Sequence, residues 1–417
     1  MQYTLKTVLN DALGLEPIQT FNIEEFKNSA LPKINYSDLK IENCLSILPH
    51  SILFNVGIKD YPIEVSNHPQ FFKLFFKSQN PDIPFDIFGA TFWLLSRYEE
   101  YLPYKTDTYD RFNYRSSLAY QYDFIEVPII NLWIEQLQFS LKKMFPVLKF
   151  KEHQYKFIST IDIDNAFKFK HKGFVRALAG YAKDILSKDA ASFRSRFKVI
   201  SGNKKDPFDC YDFLINAHKQ NQINAIYFFL LGDYGPNDKN QSATNLPFQS
   251  LIKSMADYSA VGIHPSFGST NKIQQLKVEI SRLSNIIHSP VTISRQHYSV
   301  LKFPKTYQNL LQAGIEQDFS MGYTNINGFR ASYCFPYKWY NIESELLTPL
   351  TINSFCIAEN TMVYYATKQN KTLSEQALPI INEVKKYNGQ LISIFHNDTF
   401  KDDMKNFYED FLKMAKK

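Results

Sequence analysis

The sequence predicts an α/β protein: a parallel sheet, closed or nearly closed, in residues 151–417, behind a smaller α+β domain in residues 1–150 whose role the sequence does not assign. Three observations predict it. YKFISTID, NAIYFFLL, SAVGIH, PVTISRQH and GQLISIFHN are short apolar runs, mostly rich in β-branched or aromatic residues and too short for helices. Stretches of helical period separate them, and such alternation argues for parallel strands. At 417 residues the chain exceeds one ordinary core and suits roughly two domains.

Taken in order, residues 1–150 offer strand-like pieces such as LSILPHSILF and then two helices. The first, over 85–101, sets Phe88, Phe92, Leu95 and Tyr98 on one stripe. The second, over 131–145, places Ile134, Leu137, Leu141 and Met144 on one side, and Pro146 stops it. Ser96 to Glu100 reads as an interdomain contact or a helix end sooner than a groove lining. In the second domain, Asp206-Pro207 opens a helix to about His218. Lys272 to His288 repeats Ile273, Leu276, Ile280, Leu283 and Ile287 at spacings of three and four, and a further helix follows Pro304.

Composition excludes several classes. Polar residues interrupt Met1 to Leu15, unlike a signal peptide, and no run approaches the ~20 apolar residues of a bilayer span, so a cytoplasmic location is expected. Cys44, Cys210, Cys334 and Cys356 are far apart without a CxxC pair, which points to reduced, buried thiols. A net charge of +6 is too small to imply nucleic acid as a partner. Its distribution is uneven, because residues 168–206 hold eleven Lys and Arg against three Asp. Within that segment Phe174, Leu178, Tyr181, Ile185 and Leu186 fall at helical spacing. One reading is a solvated helix that packs this stripe onto the body. The other is peripheral contact with an anionic membrane or substrate.

The chemistry gathers where apolar runs end: Asp162 with Asp164, His264, Arg295 with His297, Asp318, and His396 with Asn397. Buried charge is tolerated only when paired or metal-bound, so such endings aim at one place. Asp162 and Asp164, two apart on a strand, share a face and repel each other unless a cation intervenes. A metal that takes one carboxylate as ligand and leaves the other as base resolves the conflict, while a carboxylate pair capping the next helix is the competing reading. Three imidazoles at strand ends, His264, His297 and His396, supply the donors that zinc and similar ions favour. His218 and His288 lie within helical patterns and read as bystanders.

TIDID, GIHPS, SRQHY followed by Pro304, DFSMGY and IFHN stand in the order and approximate spacing of the five motifs of the polysaccharide deacetylases, the NodB-homology carbohydrate esterases, which this chain therefore resembles. FDIFGATFWLLSRYEEY and GFRASYCFPY look closest to a bacterial subgroup with an extra N-terminal domain. The resemblance implies a distorted (β/α) barrel with fewer than eight complete units, and a hydrolase that uses a divalent metal ion, zinc by its donor set, to remove an N-acetyl group from an amino sugar or glycan. Carried over, Asp162 is the general base, Asp164 and His264 are metal ligands, Arg295 fixes the base and His396 is the general acid. Asp318 falls where the family keeps an acid that tunes that imidazole, and the Tyr298 backbone amide faces the oxyanion.

The pattern departs in two places. Ile163 separates aspartates that the family keeps adjacent, and Gly268 stands where the second ligand imidazole is expected. Our expectation is a rearranged ligand set of Asp164, His264 and His297, with His297 on the strand face of Arg295. The competing class is a decayed site in a protein that binds glycan or acts as a scaffold. An ester or phosphate-ester hydrolase is a third, although a dinuclear site needs more ligands than these motifs supply. Arg330, Trp339 and Asn397 are candidate sugar contacts, with Trp339 and its neighbouring tyrosines forming either a flat surface for a sugar ring or the packing of a loop. The sequence assigns no oligomeric state.

Overall fold

The computed structural model describes residues 1–79 and 82–416. They form two compact units: Met1–Tyr155 with Gly328–Ser354 and Asn382–Gln390, and Lys156–Asn327 with Phe355–Ile381 and Leu391–Lys417. The first change of unit falls after Tyr155, and the first unit also recruits two later segments. Backbone bonds explain the recruitment, because Ile130 N donates to Ser332 O and Gln390 N to Cys334 O. Asn131 Oδ1 accepts from Cys334 N. Such long-range pairing leaves no compositional trace in sequence.

In the first unit, α1 (Ile87–Leu95) is capped by Asp86, whose carboxylate accepts from the amides of Phe88 and Gly89. All nine of its residues are buried, so the helix has no solvent face where a stripe was expected. It is also shorter than expected, because Arg97 adopts a left-handed conformation (φ 55°) and turns the chain. α2 (Ile129–Met144) buries Trp133, Ile134, Leu137 and Leu141, close to the expected element. Glu100 is buried between Arg97 (2.7 Å) and Arg330 (2.6 Å), while Glu99 pairs with the other side of Arg97 (2.8 Å). Burial pushes the Glu100 carboxyl up, but the two guanidinium groups outweigh it and hold the carboxyl below its usual range. Removing one partner strands buried charge. Glu100→Ala is therefore expected to destabilise the protein by about 3–5 kcal/mol, measured by urea unfolding.

The second unit is built on β1 (Lys156–Ile163), β2 (Asn224–Leu230), β3 (Ala260–His264), β4 (Ile293–Ser294), β5 (Gln317–Asp318), β6 (Ile357–Ala358) and β7 (Gln390–His396). Their order is β5-β4-β3-β2-β1-β7-β6. β1 to β5 pair in parallel, as does β6 with β7. The expected parallel α/β sheet is present, but its order is open among the described residues. β4, β5 and β6 hold two residues each.

Its core packs Ile226 and Phe228 of β2 against Phe319, Phe355, Ala358, Ile392 and Ile394. Gly262 makes this fit, since a Cβ there would lie 2.6 Å from the Phe228 ring. Between β1 and β2 stand α3 (Phe174–Leu186), α4 (Ala190–Ile200) and α5 (Tyr211–Asn221). α5 starts later than expected because the Asp206 carboxylate accepts instead from the amides of Lys168, Phe169, Lys170 and Phe208. The helix expected over 272–288 is present as Ile273–Ile287. His218 is a bystander as expected: it is buried between the hydroxyls of Tyr227 (3.1 Å) and Tyr408 (2.6 Å), and burial pushes its imidazole down to about 4. All four cysteines are free and buried. Among the described residues, no helix is long and apolar enough to cross a membrane.

Candidate metal centre

Parallel strands send their C-terminal ends to one edge of a sheet, where functional groups collect. β1 ends at Asp162 and Asp164, β3 ends on His264, and β4 runs into Arg295 and His297. The structure brings Asp164, His264 and His297 together, with one ligand atom from each lying within 4.8 Å of the others. His264 Nε2 is 3.2 Å from Asp164 Oδ1, and His297 Nε2 is 3.4 Å from Asp164 Oδ2.

His297 does not arrive by continuing its strand, the route expected from sequence. β4 stops at Ser294, and His297 opens a short turn in which Tyr298 takes φ 57°. The His297 amide donates to Pro265 O, tying this turn to the loop after β3.

Each of these two imidazoles is held through its other nitrogen. His264 Nδ1 donates to Arg295 O (2.6 Å) and His297 Nδ1 donates to Asp238 Oδ1 (2.9 Å). In the neutral rings those bonds keep the proton on Nδ1 and leave Nε2 as a lone-pair donor, the arrangement metal sites use. Asp238 went unnoticed in sequence, since an acid in the polar run GPNDKN looks solvent-facing. It is buried and also accepts from the amides of Phe267 (2.9 Å) and Gly268 (3.0 Å). Gly268 thus supports His297 from the position where a ligand was expected. A Cβ at 268 would come within 3.4 Å of Asp238 Oδ2 and 3.3 Å of Gln275 Nε2, so a larger residue there would crowd the carboxylate that orients His297.

The donor set fits a divalent cation. Asp164 Oδ1 is buried and makes no hydrogen bond once His264 Nε2, 3.2 Å away, carries a lone pair, and metal coordination would satisfy it. Two imidazole nitrogens and a carboxylate oxygen match a zinc-type set with a position left open, and the Asp164 side chain remains 34% exposed. Burial pushes the Asp164 carboxyl up, yet the imidazoles of His297 and His264 hold it well below its usual range. Burial also pushes the His297 imidazole down, but the Asp164 and Asp238 carboxylates raise it to about 9, so the local field favours positive charge.

Arg295 is fully buried beside this cluster, over the rings of Phe228 (4.7 Å) and Phe355 (5.5 Å). It donates to Asp162 Oδ1 (3.1 Å), to the Thr160 hydroxyl and to Phe319 O (3.0 Å). The other oxygen of Asp162 lies 3.8 Å from His264 Nε2, so both aspartates of the motif reach the same imidazole.

His396 sits at the end of β7, and its Nδ1 meets Glu359 Oε1 at 2.7 Å. Burial pushes this imidazole down, but Glu359, Asp164 and Asp162 together hold it well above its usual value. The carboxylate in contact with His396 is thus Glu359, where the resemblance led us to expect Asp318. Asp318 is fully buried and accepts from the hydroxyls of Ser294 (2.9 Å) and Ser320 (2.8 Å) and from the Ser320 amide (2.9 Å). Glu359 directly follows β6, the strand within SFCIAE, and so repeats the pattern of an apolar run ending in a charged residue. That signal was present and was missed because β6 is only two residues long.

The proposed sugar contacts fare unevenly. Tyr298 is half-buried and stacks on His297 with ring centres 4.1 Å apart. Asn397 is buried, and its amide donates to Asn165 O (3.1 Å), Phe208 O (3.2 Å) and the Tyr211 hydroxyl (3.2 Å), so it braces loops instead of facing a ligand. Arg330 and Trp339 belong to the first unit, each 2% exposed, the former against Glu100, and neither offers a surface on which a sugar ring rests.

Comparison with known proteins adds the following. A family of unknown function (DUF7033) has a model that matches residues 1–146. No curated protein matches the chain in sequence. Similar solved structures include the polysaccharide deacetylase Bc1974 from Bacillus cereus, with 14% identity, TM-score 0.31, and 63% of this chain and 88% of that chain covered. A family 4 carbohydrate esterase from Streptomyces lividans, in complex with acetate, has 10% identity and TM-score 0.29, with 63% and 88% covered. The family 4 pseudoenzyme BA3943 from Bacillus anthracis has 8% identity and TM-score 0.28, with 63% and 61% covered. At such values the likenesses say nothing about activity, and the functional reading rests on the geometry of the site.

Proposed function

We propose that this chain is a metal-dependent hydrolase that removes an N-acetyl group from an amino sugar or glycan precursor, on a second unit of the deacetylase-type distorted barrel class. One observation carries the reading: an Asp-His-His cluster with both imidazoles buried stands beside a carboxylate locked to a guanidinium and an imidazole locked to a carboxylate. Those are the parts that amide hydrolysis needs, namely an electrophile, a base and an acid.

Asp164, His264 and His297 would hold the ion, for which zinc suits the donors. When bound, it supplies Lewis acidity that makes a water acidic and polarises the acetamide carbonyl. Asp162 takes the proton of the attacking water. Arg295, 3.1 Å away, pairs with that base and aims it. Tyr298, turned by its positive φ, would present its backbone amide to the oxyanion. His396 gives its proton to the departing nitrogen, because an amine leaves poorly as an anion. Glu359 orients that imidazole and keeps it charged. Asp318 supports the strand ends through its serine bonds and takes no part in proton transfer.

Acetate release from N-acetylated amino sugars and their oligomers, by chelator-treated protein with and without added zinc, tests the proposal. Release that returns with zinc supports it. Sugar binding without acetate under any metal supports the inactive glycan-binding class instead.

The pH profile carries a finer expectation. His396 works protonated, so activity is present below its raised pKa and falls as pH rises through it. Glu359→Gln removes the largest support for that charge, and the alkaline limb of kcat/KM should move to lower pH. An unmoved limb would remove His396 from the role of acid.

A further inference from the structure

We infer that the α3–α4 hairpin is a docking surface for an anionic membrane. This inference is independent of the proposed chemistry. The helical spacing in α3 invites the expectation that its apolar stripe packs onto the body, and the structure reverses it. Phe174 (78% exposed), Val175 (78%), Leu178 (52%), Ile185 (63%) and Leu186 (84%) face solvent. On α4, Phe197 and Ile200 are exposed at helical spacing, with Phe193 at the margin.

The covered side holds the buried Val199, the half-buried Tyr181 and an ion pair. Asp184 and Arg196 pair at 2.7 Å, both buried, and Gly180 leaves the room that Arg196 fills, since a Cβ there would lie 2.3 Å from its Nη1. An ion pair thus joins the two helices while most of their bulky apolar side chains stay exposed. Exposed apolar area of this kind marks a surface that something covers.

Charge identifies the occupant. Lys183, Lys188, Arg194 and Lys198 are exposed among the apolar residues. Of the two acids of the hairpin, Asp184 is buried on Arg196, while Asp189 is exposed and caps α4 through the amide of Ser192. The outward face is therefore apolar and cationic, with four exposed Lys and Arg against the single exposed acid Asp189 between residues 174 and 200. That combination fits the boundary of a bilayer rich in acidic headgroups, where apolar side chains enter the acyl margin and lysines meet phosphate. A second copy of this chain would set the same cationic face against itself.

Cosedimentation of the full chain with phosphatidylcholine vesicles, and with vesicles containing one-third phosphatidylglycerol, tests the inference. Binding is expected on the anionic vesicles, at least tenfold weaker on the neutral ones, and reduced by high salt. Leu178→Ser with Ile185→Ser should lower it at least tenfold, and so should Lys183→Glu with Lys198→Glu. These side chains are exposed, so unchanged melting temperatures would show intact folding. Equal binding to both vesicles, binding to neither, or retention by both double variants would overturn it. So would a stable dimer that the apolar double variant dissolves, since a second copy would then cover the face.

Discussion

His297→Ala is expected to empty the metal centre. The purified variant should hold far less zinc than the parent by elemental analysis, and kcat/KM should fall by more than about 100-fold, because even the outer partners of a ligand are worth roughly 10–100-fold. The reason is geometric. His297 Nε2 faces Asp164 Oδ2 and its Nδ1 is fixed by Asp238, so the ring has no other task that alanine would leave intact. Asp164 and His264 alone make a pair too sparse to hold zinc firmly. Unchanged metal content would remove His297 from the ligand set.

Asp162→Asn separates chemistry from metal binding. Acetate release should fall about 10²–10⁴-fold, the usual worth of a positioned base, while zinc content stays near that of the parent. Asparagine keeps the shape but not the charge, and Arg295 is left buried without its anion. Breaking a buried pair costs about 3–5 kcal/mol, so a lower melting temperature should accompany the loss of activity. Zinc lost in step with activity would instead make Asp162 a ligand.

Much of this centre was legible in sequence because strand-end chemistry is local. TIDID, GIH and IFHN announce a buried run and the charged residue that ends it within a few positions. Arg295 was legible on the same ground, since a guanidinium closing an apolar run needs a buried partner, and Asp162 is there. Partners supplied from elsewhere were harder. Asp238 reaches His297 across 59 positions from a polar loop, and nothing in its surroundings marks it as buried. Asp318 and Glu359 both end short strands, and the choice between them depends on which strand lies beside β7. β6 does, and that is a fact of sheet order that no local pattern encodes.

The same limit explains α1 and α3. Period shows which residues share a face, but not where the body lies. α1 is buried all round, and α3 turns its apolar face outward because Gly180 and the Asp184–Arg196 pair occupy the inner side. Arg330 and Trp339 looked available to a ligand because arginine and aromatic residues in a polar loop often are. Burial against Glu100 and within the first unit removes both.

The central claim is that Asp164, His264 and His297 grip one divalent ion. Anomalous scattering at the zinc edge, from crystals grown with zinc, tests it most directly. A single peak about 2.0–2.2 Å from an Asp164 oxygen and from the Nε2 atoms of His264 and His297 is the expected result. No peak there at saturating zinc, with both imidazoles still paired to the Asp164 carboxylate, would contradict it.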